Sequence, residues 1–263
     1  MIPDALLFRL AASFAAGFVI VAAVTAFADL AGEGPAGFIG GIPSSGAVAL
    51  ILIGLTQSTS AAINATTLFP LGFSVTFAFL LFYAIPARAR FRIRMTAALS
   101  LWFLLAVAVA VWGPDDFLLS VVVGYAIALA AMAARTRVPT GKAERNKSEP
   151  SVKQTIIRGV LGGSVVTSVV VLSEVAGPLV GGIFAAAPAI WSSSLYVTYR
   201  THGTEFSRSL TWNFMQTGVI TIIPFAVAAR YFFSTTGIWL GTLLAYLAIL
   251  PLAYLAWKLS TRR

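Results

Sequence analysis

The chain reads as an all-α, polytopic membrane protein of about nine transmembrane helices, arranged as 4+1+4 inverted repeats. Three observations point there. Hydrophobic residues make up 59% of the 263 positions and charged residues only 10%, with a mean hydropathy of +0.90, well beyond the roughly half-apolar make-up of soluble domains. The apolar residues gather into stretches of membrane-spanning length. Residues 17–43 also return, without a gap, at residues 162–188.

A helix needs about 20 apolar residues to cross roughly 30 Å of hydrocarbon. Nine stretches meet or approach that length: 6–28, 36–55, 66–86, 95–112, 116–134, 156–173, 178–199, 209–229 and 237–257. Expected breaks lie at Gly32, Gly34 and Pro35, at 56–59, at Pro86, at Gly113 and Pro114, along 139–150, and at Gly177 and Pro178. The first stretch carries an Ala26-Phe27-Ala28 sequence like a signal-peptidase site. Its leading segment holds Asp4 and Arg9 rather than a basic cluster, and its repeat partner is internal, so a retained first helix is expected.

Lys and Arg accumulate on the cytoplasmic side of membrane proteins, which tests the count of spans. With nine crossings, Arg88, Arg90, Arg92 and Arg94, the basic residues from Arg135 to Arg158, and Arg200, Arg208, Lys258, Arg262 and Arg263 all share one side. Only Arg9 and Arg230 of the 18 basic residues fall on the other. The N-terminus is then outside and the C-terminus inside a prokaryotic plasma (inner) membrane. The formal charge of +9 therefore reflects topology and a lipid-bilayer environment, with no nucleic-acid partner expected.

The repeat has a constant offset of 145 residues (162−17 and 188−43). It pairs Gly17 with Gly162, Gly32 with Gly177, Gly37 with Gly182 and Pro43 with Pro188. Further on it pairs Thr59 with Thr204, Phe69 with Phe214, Thr76 with Thr221 and Trp112 with Trp257. Each copy holds four spans, so the chain divides into 5–113, a connector helix with a basic loop at 114–153, and 154–260. Five crossings precede the second copy. An odd number inverts it, and inverted repeats commonly place a site near the midplane on their pseudo-twofold axis.

Gly162-Gly163 at the head of an apolar helix, Gly181-Gly182-Ile183 leading to Pro188, Gly203-x-Glu205-x-x-Arg208 and Ile222-Ile223-Pro224-Phe225 give the second copy a resemblance to the GlpM family of small four-helix bacterial inner-membrane proteins. The resemblance implies a four-helix unit and a link to cell-surface polysaccharide production, without an assigned activity. The first copy departs from it: Ser58, Ser60 and Ile63 stand in place of Gly203, Glu205 and Arg208, and Phe79 in place of Pro224. The architecture is also similar to that of dual-topology four-helix proteins such as small multidrug exporters and fluoride channels. The exporters' buried glutamate and the channels' glycine-arginine segment are both missing.

All nine acidic residues lie at span ends or in loops, which disfavours proton-coupled antiport through a buried carboxylate. There is no cysteine and a single histidine, His202. Metal centres, catalytic dyads and nucleotide loops are not expected, nor is an enzyme or a cofactor. Ser44 and Ser45 after Pro43, with Ser192 and Ser193 after Pro188, are candidates for a paired central site, because proline frees backbone carbonyls within a span; the alternative is helix packing. Asn213, Gln216 and Thr217 fall at helical spacing on one face and either line a pathway or bond neighbouring helices. Arg200, His202, Glu205 and Arg208 suit an anionic lipid headgroup or, alternatively, an interfacial ion pair. Gly37-x-x-x-Gly41 and Gly177-x-x-x-Gly181 are expected to pack the halves together. Two function classes remain: a small transporter or channel, and a non-transporting accessory protein with an unknown membrane partner.

Overall fold

The structure, a computed structural model, describes residues 4–31, 43–86, 89–138 and 152–260, and every element among them is helical. In chain order these are α1 (Asp4–Ala31), α2 (Ser45–Thr56), α3 (Thr59–Ala84), α4 (Phe91–Trp112), α5 (Phe117–Thr136), α6 (Val152–Ala176), α7 (Pro178–Ala185) and α8 (Ala189–Ser260). Two glycines with non-helical backbone, Gly203 (φ 85°, ψ −178°) and Gly237 (φ 78°, ψ −179°), divide α8 into α8a (189–202), α8b (204–236) and α8c (238–260). That backbone region is essentially reserved for glycine.

Among the described residues, five helical stretches are long and apolar enough to cross a membrane: Thr59–Ala84, Phe91–Trp112, Phe117–Thr136, Val152–Ala176 and the jointed run Pro178–Leu259. The molecule is thus a helical, membrane-embedded protein. Its outward faces agree with a lipid surround, since Phe8, Leu104, Trp112, Leu118 and Trp239 are each more than half exposed.

Two expected spans are not single helices. The stretch at 178–199 is interrupted at Ala186, Ala187 and Pro188. Proline lacks the N–H that would continue the ladder, and it keeps the residue before it out of the α region. In the stretch at 36–55 the described part begins with non-helical Pro43 and Ser44, and only α2 follows. Helices also outrun the apolar stretches. The third starts at Thr59 instead of 66, because the Ser58 hydroxyl caps it by accepting the Ala61 N–H at 3.0 Å. The expected loops before 209 and 237 are single-glycine joints. Residues 36–42 of the second span, the Gly32, Gly34 and Pro35 break, Gly37-x-x-x-Gly41, Arg88, the loop residues Lys142, Arg145 and Lys147, and Arg262 and Arg263 lie outside the described residues.

Helix α3 is the axis of the fold. Of its most apolar stretch 83% is buried, against 22% for α4 and for α5. It packs on α5, α7 and α8, so the segments 5–113 and 154–260 share one core. Small residues set these contacts. A methyl group at Gly124 of α5 would press on the Pro70 carbonyl at 3.0 Å, one at Gly72 on Ile183 of α7 at 2.8 Å, and one at Gly182 would collide with the Ala65 carbonyl oxygen. Helices α1 and α6 cross in the same way: Gly17 lies against Val166, and Gly162 against Val21.

The Gly177-x-x-x-Gly181 expectation needs correction. Gly177 caps α7 with φ 95° and has open space where a Cβ would be; Gly181 packs on Ser173 of α6, within the second copy. Its neighbour Gly182, like Gly17, Gly72 and Gly162, joins segment 154–260 to segment 5–113.

Candidate functional site

The start of α2 meets the break between α7 and α8a. Pro43, Ser44, Ser45 and Gly46, at the start of α2, and Ala185 to Pro188, between α7 and α8a, line one cavity with Phe69, Phe73 and Thr76 of α3, Ile190 and Trp191 of α8a, and Ile222 of α8b. Its volume is about 50 Å³. A liquid water occupies about 30 Å³, so one or two water-sized species fit. Drug-sized ligands need pockets of about 300 Å³ or more. The larger void, about 570 Å³, is a groove on the outer face of α4 at Thr96, Leu99 and Phe103 and touches neither that start nor that break.

Hydroxyl donors occupy two of the backbone carbonyls beside this cavity. Thr76 Oγ1 donates to the Ala186 carbonyl (2.8 Å) and accepts from Trp102 Nε1 (3.1 Å). Tyr246 of α8c donates its phenol to the Pro43 carbonyl at 2.6 Å. Donors at the start of α2 are treated differently. Ser44 is the N-cap residue but its side chain makes no capping hydrogen bond, although the residue is only 8% exposed. The first N–H groups of a helix have no intrahelical acceptor, so α2 presents its positive end to the cavity.

The cavity is one-sided. Trp191 stands 145 residues after Gly46 and stacks on Phe214 (5.6 Å, interplanar 1°), while meeting Phe73 edge-on at 5.3 Å. Gly46 has no side chain to do the same, and a methyl there would touch the Phe69 ring at 2.8 Å. Of the predicted pair of serine groups, only Ser44 and Ser45 line the cavity. Ser192 and Ser193 donate to the Ala189 and Ile190 carbonyls of their own helix turn.

Nor do Asn213, Gln216 and Thr217 act together. Thr217 is buried and bonds the Asn213 and Phe214 carbonyls, whereas Asn213 is exposed. The Gln216 Oε1 atom is buried without a partner among the described residues.

The headgroup candidates also separate. Arg200 is exposed; His202 is half-buried, stacked on Phe206 at 4.7 Å, with its Nδ1 at 2.5 Å from Thr201 Oγ1. Arg208 turns inward with a 4% exposed side chain: Nη1 donates to both Glu205 carboxylate oxygens (2.7 and 2.8 Å) and Nε to the Ala84 carbonyl of α3 (2.8 Å). Arg135 joins it from α5, donating to Thr211 Oγ1, the Arg208 carbonyl and the Val138 carbonyl. Ser207 gives its one proton to the Leu195 carbonyl, so Tyr83 is the donor in their 2.7 Å contact.

At the opposite end of α3, Arg230 Nη1 donates to the Ile63 carbonyl, Thr66 Oγ1 and Thr67 Oγ1 (2.9, 3.2 and 3.0 Å), and its guanidinium lies 4.7 Å from the centre of the Phe117 ring. Sequence reasoning missed Gly46, Thr76, Tyr246, Arg135 and Arg230. Only Thr76 carried a signal, as one of the repeat's polar matches. No protein-family model, curated protein or solved structure matches this chain.

Proposed function

We propose that the chain is a small membrane transporter or channel, not an enzyme, whose pathway runs between two inverted halves. The reading rests on the cavity where the broken helix pair α7 and α8a meets the N-terminal end of α2 beside Phe69, Phe73 and Thr76, near the middle of α3. Broken helices are tolerated at membrane depth where they are buried in protein or line a water-filled cavity, and in inverted-repeat transporters they form the binding site.

The helix ends support the repeat behind this reading. Helix α1 ends at Ala31 and α6 at Ala176; α3 begins at Thr59 and α8b at Thr204; Pro43 and Pro188 stand at the interruptions. All three pairs differ by 145. The crossing of α1 with α6 is reciprocal, because Gly17 meets Val166 and Gly162 meets Val21, and 21 and 166 again differ by 145. Contacts of that form belong to a twofold relation. Counted this way, α1, the stretch ending in α2, α3, α4, α5, α6, α7 with α8a, α8b and α8c make nine crossings, with the N-terminus outside and the C-terminus cytoplasmic in a prokaryotic inner membrane.

Polar contacts sort by side as that topology requires. Arg9 with Glu174, and Arg230 with Ile63 and Phe117, join ends assigned outside; Arg208 with Ala84 and Arg135 join ends assigned inside. In a GlpM-like unit, Gly162, Gly203 and the Glu205–Arg208 pair then act as packing and joint residues.

Purified protein in liposomes should give solute flux that Ser45→Trp, which puts a bulky side chain at a half-buried position lining the cavity, reduces at least about tenfold. Flux unaffected by Ser45→Trp, or no flux of any small ion or polar solute, refutes the pathway. One observation favours a second reading. The exposed amide of Asn213 suits a membrane partner in cell-envelope or exopolysaccharide assembly, and under that reading a specific protein co-purifies and Asn213→Leu releases it.

A further inference from the structure

Resting on the pathway reading, we propose that the cavity at Ser44 takes a small monovalent inorganic anion and that Arg230 draws it there from the outer side. The selectivity follows from which backbone groups at the interruptions are already engaged. A cation would need carbonyl oxygens, and Thr76 and Tyr246 donate to those of Ala186 and Pro43. An anion needs donors, and the cavity offers the positive N-terminal end of α2 together with Ser44, a residue 8% exposed whose hydroxyl makes no capping bond.

The lining favours the same sign. Phe69, Phe73 and Trp191 border the space, and no carboxylate lines it. With about 50 Å³ available, the ion must shed most of its water, so a small anion replaces hydration with the Ser44 hydroxyl and α2 N–H groups.

Arg230 completes the path. Its hydrogen-bond partners among the described residues are neutral: the Ile63 carbonyl and the hydroxyls of Thr66 and Thr67. Thr66 and Phe69 are three residues apart on α3, about one helical turn or ~5 Å along the axis. Ile63, Thr66 and Thr67 lie within about two helical turns of Phe69 along α3, so the guanidinium acts on the cavity from its outer side through its field and not through contact. A partly desolvated cation there concentrates anions and repels cations.

The test uses full-length protein in phosphatidylethanolamine–phosphatidylglycerol liposomes loaded with potassium fluoride, chloride, bromide or iodide, with valinomycin to dissipate the potential. Halide efflux should fall as the ion grows. Ser44→Ala should lower it about fivefold, the loss of one neutral hydrogen bond. Arg230→Gln should lower it with a weaker dependence on ionic strength than wild type, and Arg230→Lys should restore much of it. The arginine variants give an independent arm if Ser44→Ala does not fold.

Potassium or proton flux without halide flux overturns the anion assignment while leaving a pathway. Absence of all flux overturns the pathway; halide-dependent stabilisation of the detergent-solubilised protein against a gluconate control, lost in Ser44→Ala, would then uphold an anion site, and its absence would refute both.

Discussion

At the scale of single residues, polar groups inside this protein are committed to backbone carbonyls more often than to one another. Thr76 is the clearest case, since one hydroxyl serves Ala186 and receives Trp102. Thr76→Val keeps the shape but leaves a buried carbonyl and an indole N–H unpaired, so a loss of about 2–4 kcal/mol is expected, read as a lower midpoint in thermal unfolding in detergent. The freed carbonyl should also raise cation leak relative to anion flux in liposomes. Arg135 makes a second case. Charge accounting places it among topogenic cations, which is all that the sequence discloses, yet its guanidinium spans three acceptors on two segments. Arg135→Lys preserves charge but not the planar fork. Membrane insertion should stay normal while stability falls by about 2 kcal/mol; an unchanged melting midpoint would mean that only the charge matters.

At the scale of elements, hydropathy located the helices and local chemistry moved their ends. The apolar stretches predicted α1, α4, α5 and α6 to within a few residues, because lipid-facing or core-facing side chains fill nearly their whole length. It failed where a helix runs into polar sequence: α3 begins in Thr59-Ser60 behind a serine cap, and α8b starts at Thr204 and passes Glu205 and Arg208, two residues whose ion pair and carbonyl contact make the helical start tolerable. Tight joints were equally hard to foresee, since a single glycine at positive φ replaces a loop. Ala substitution at Gly203 or Gly237 forces a side chain into a glycine-only region, at an expected cost of about 1–3 kcal/mol each. Open space surrounds both positions, so steric crowding contributes nothing. Gly182 is the contrasting element-level case: its φ is ordinary, but a methyl would meet the Ala65 carbonyl oxygen. Gly182→Ala should therefore destabilise by about 3 kcal/mol or more through forced separation of α7 from α3. Thermal unfolding of the three variants separates strain from crowding, because only Gly182→Ala should also widen the cavity lined by Ala185 to Pro188 and alter its permeation.

At the scale of the molecule, the proposed repeat is a reading of the sequence, and the asymmetry of its proposed site is not. Matching Gly, Pro and Trp at one offset argues for two related units, but the same offset sets Gly46 against Trp191, and only packing reveals that Trp191 stacks on Phe214 while the Phe69 ring stands where a Gly46 side chain would. Under the proposed function, a site on one side of a pseudo-twofold axis frees the other side to become structural, which would account for Glu205 and Arg208 having no counterparts in the first copy. This reasoning stands on the two units having opposite orientation, and that is directly measurable. The chain has no cysteine, so single cysteines report position without background. Thr59 and Thr204 are 145 residues apart, each opens a helix, and neither is fully buried; Gly203 is avoided because of its positive φ. In intact cells, a membrane-impermeant maleimide should label Thr59→Cys, which the proposed topology puts outside with Arg9, Glu174 and Arg230. Thr204→Cys should react only after permeabilisation, since the same topology puts it inside with Arg208 and Arg135. Labelling of both from one side would place the units in parallel, and the paired interruptions, the reciprocal glycine contacts and the shared pathway would then need a different explanation.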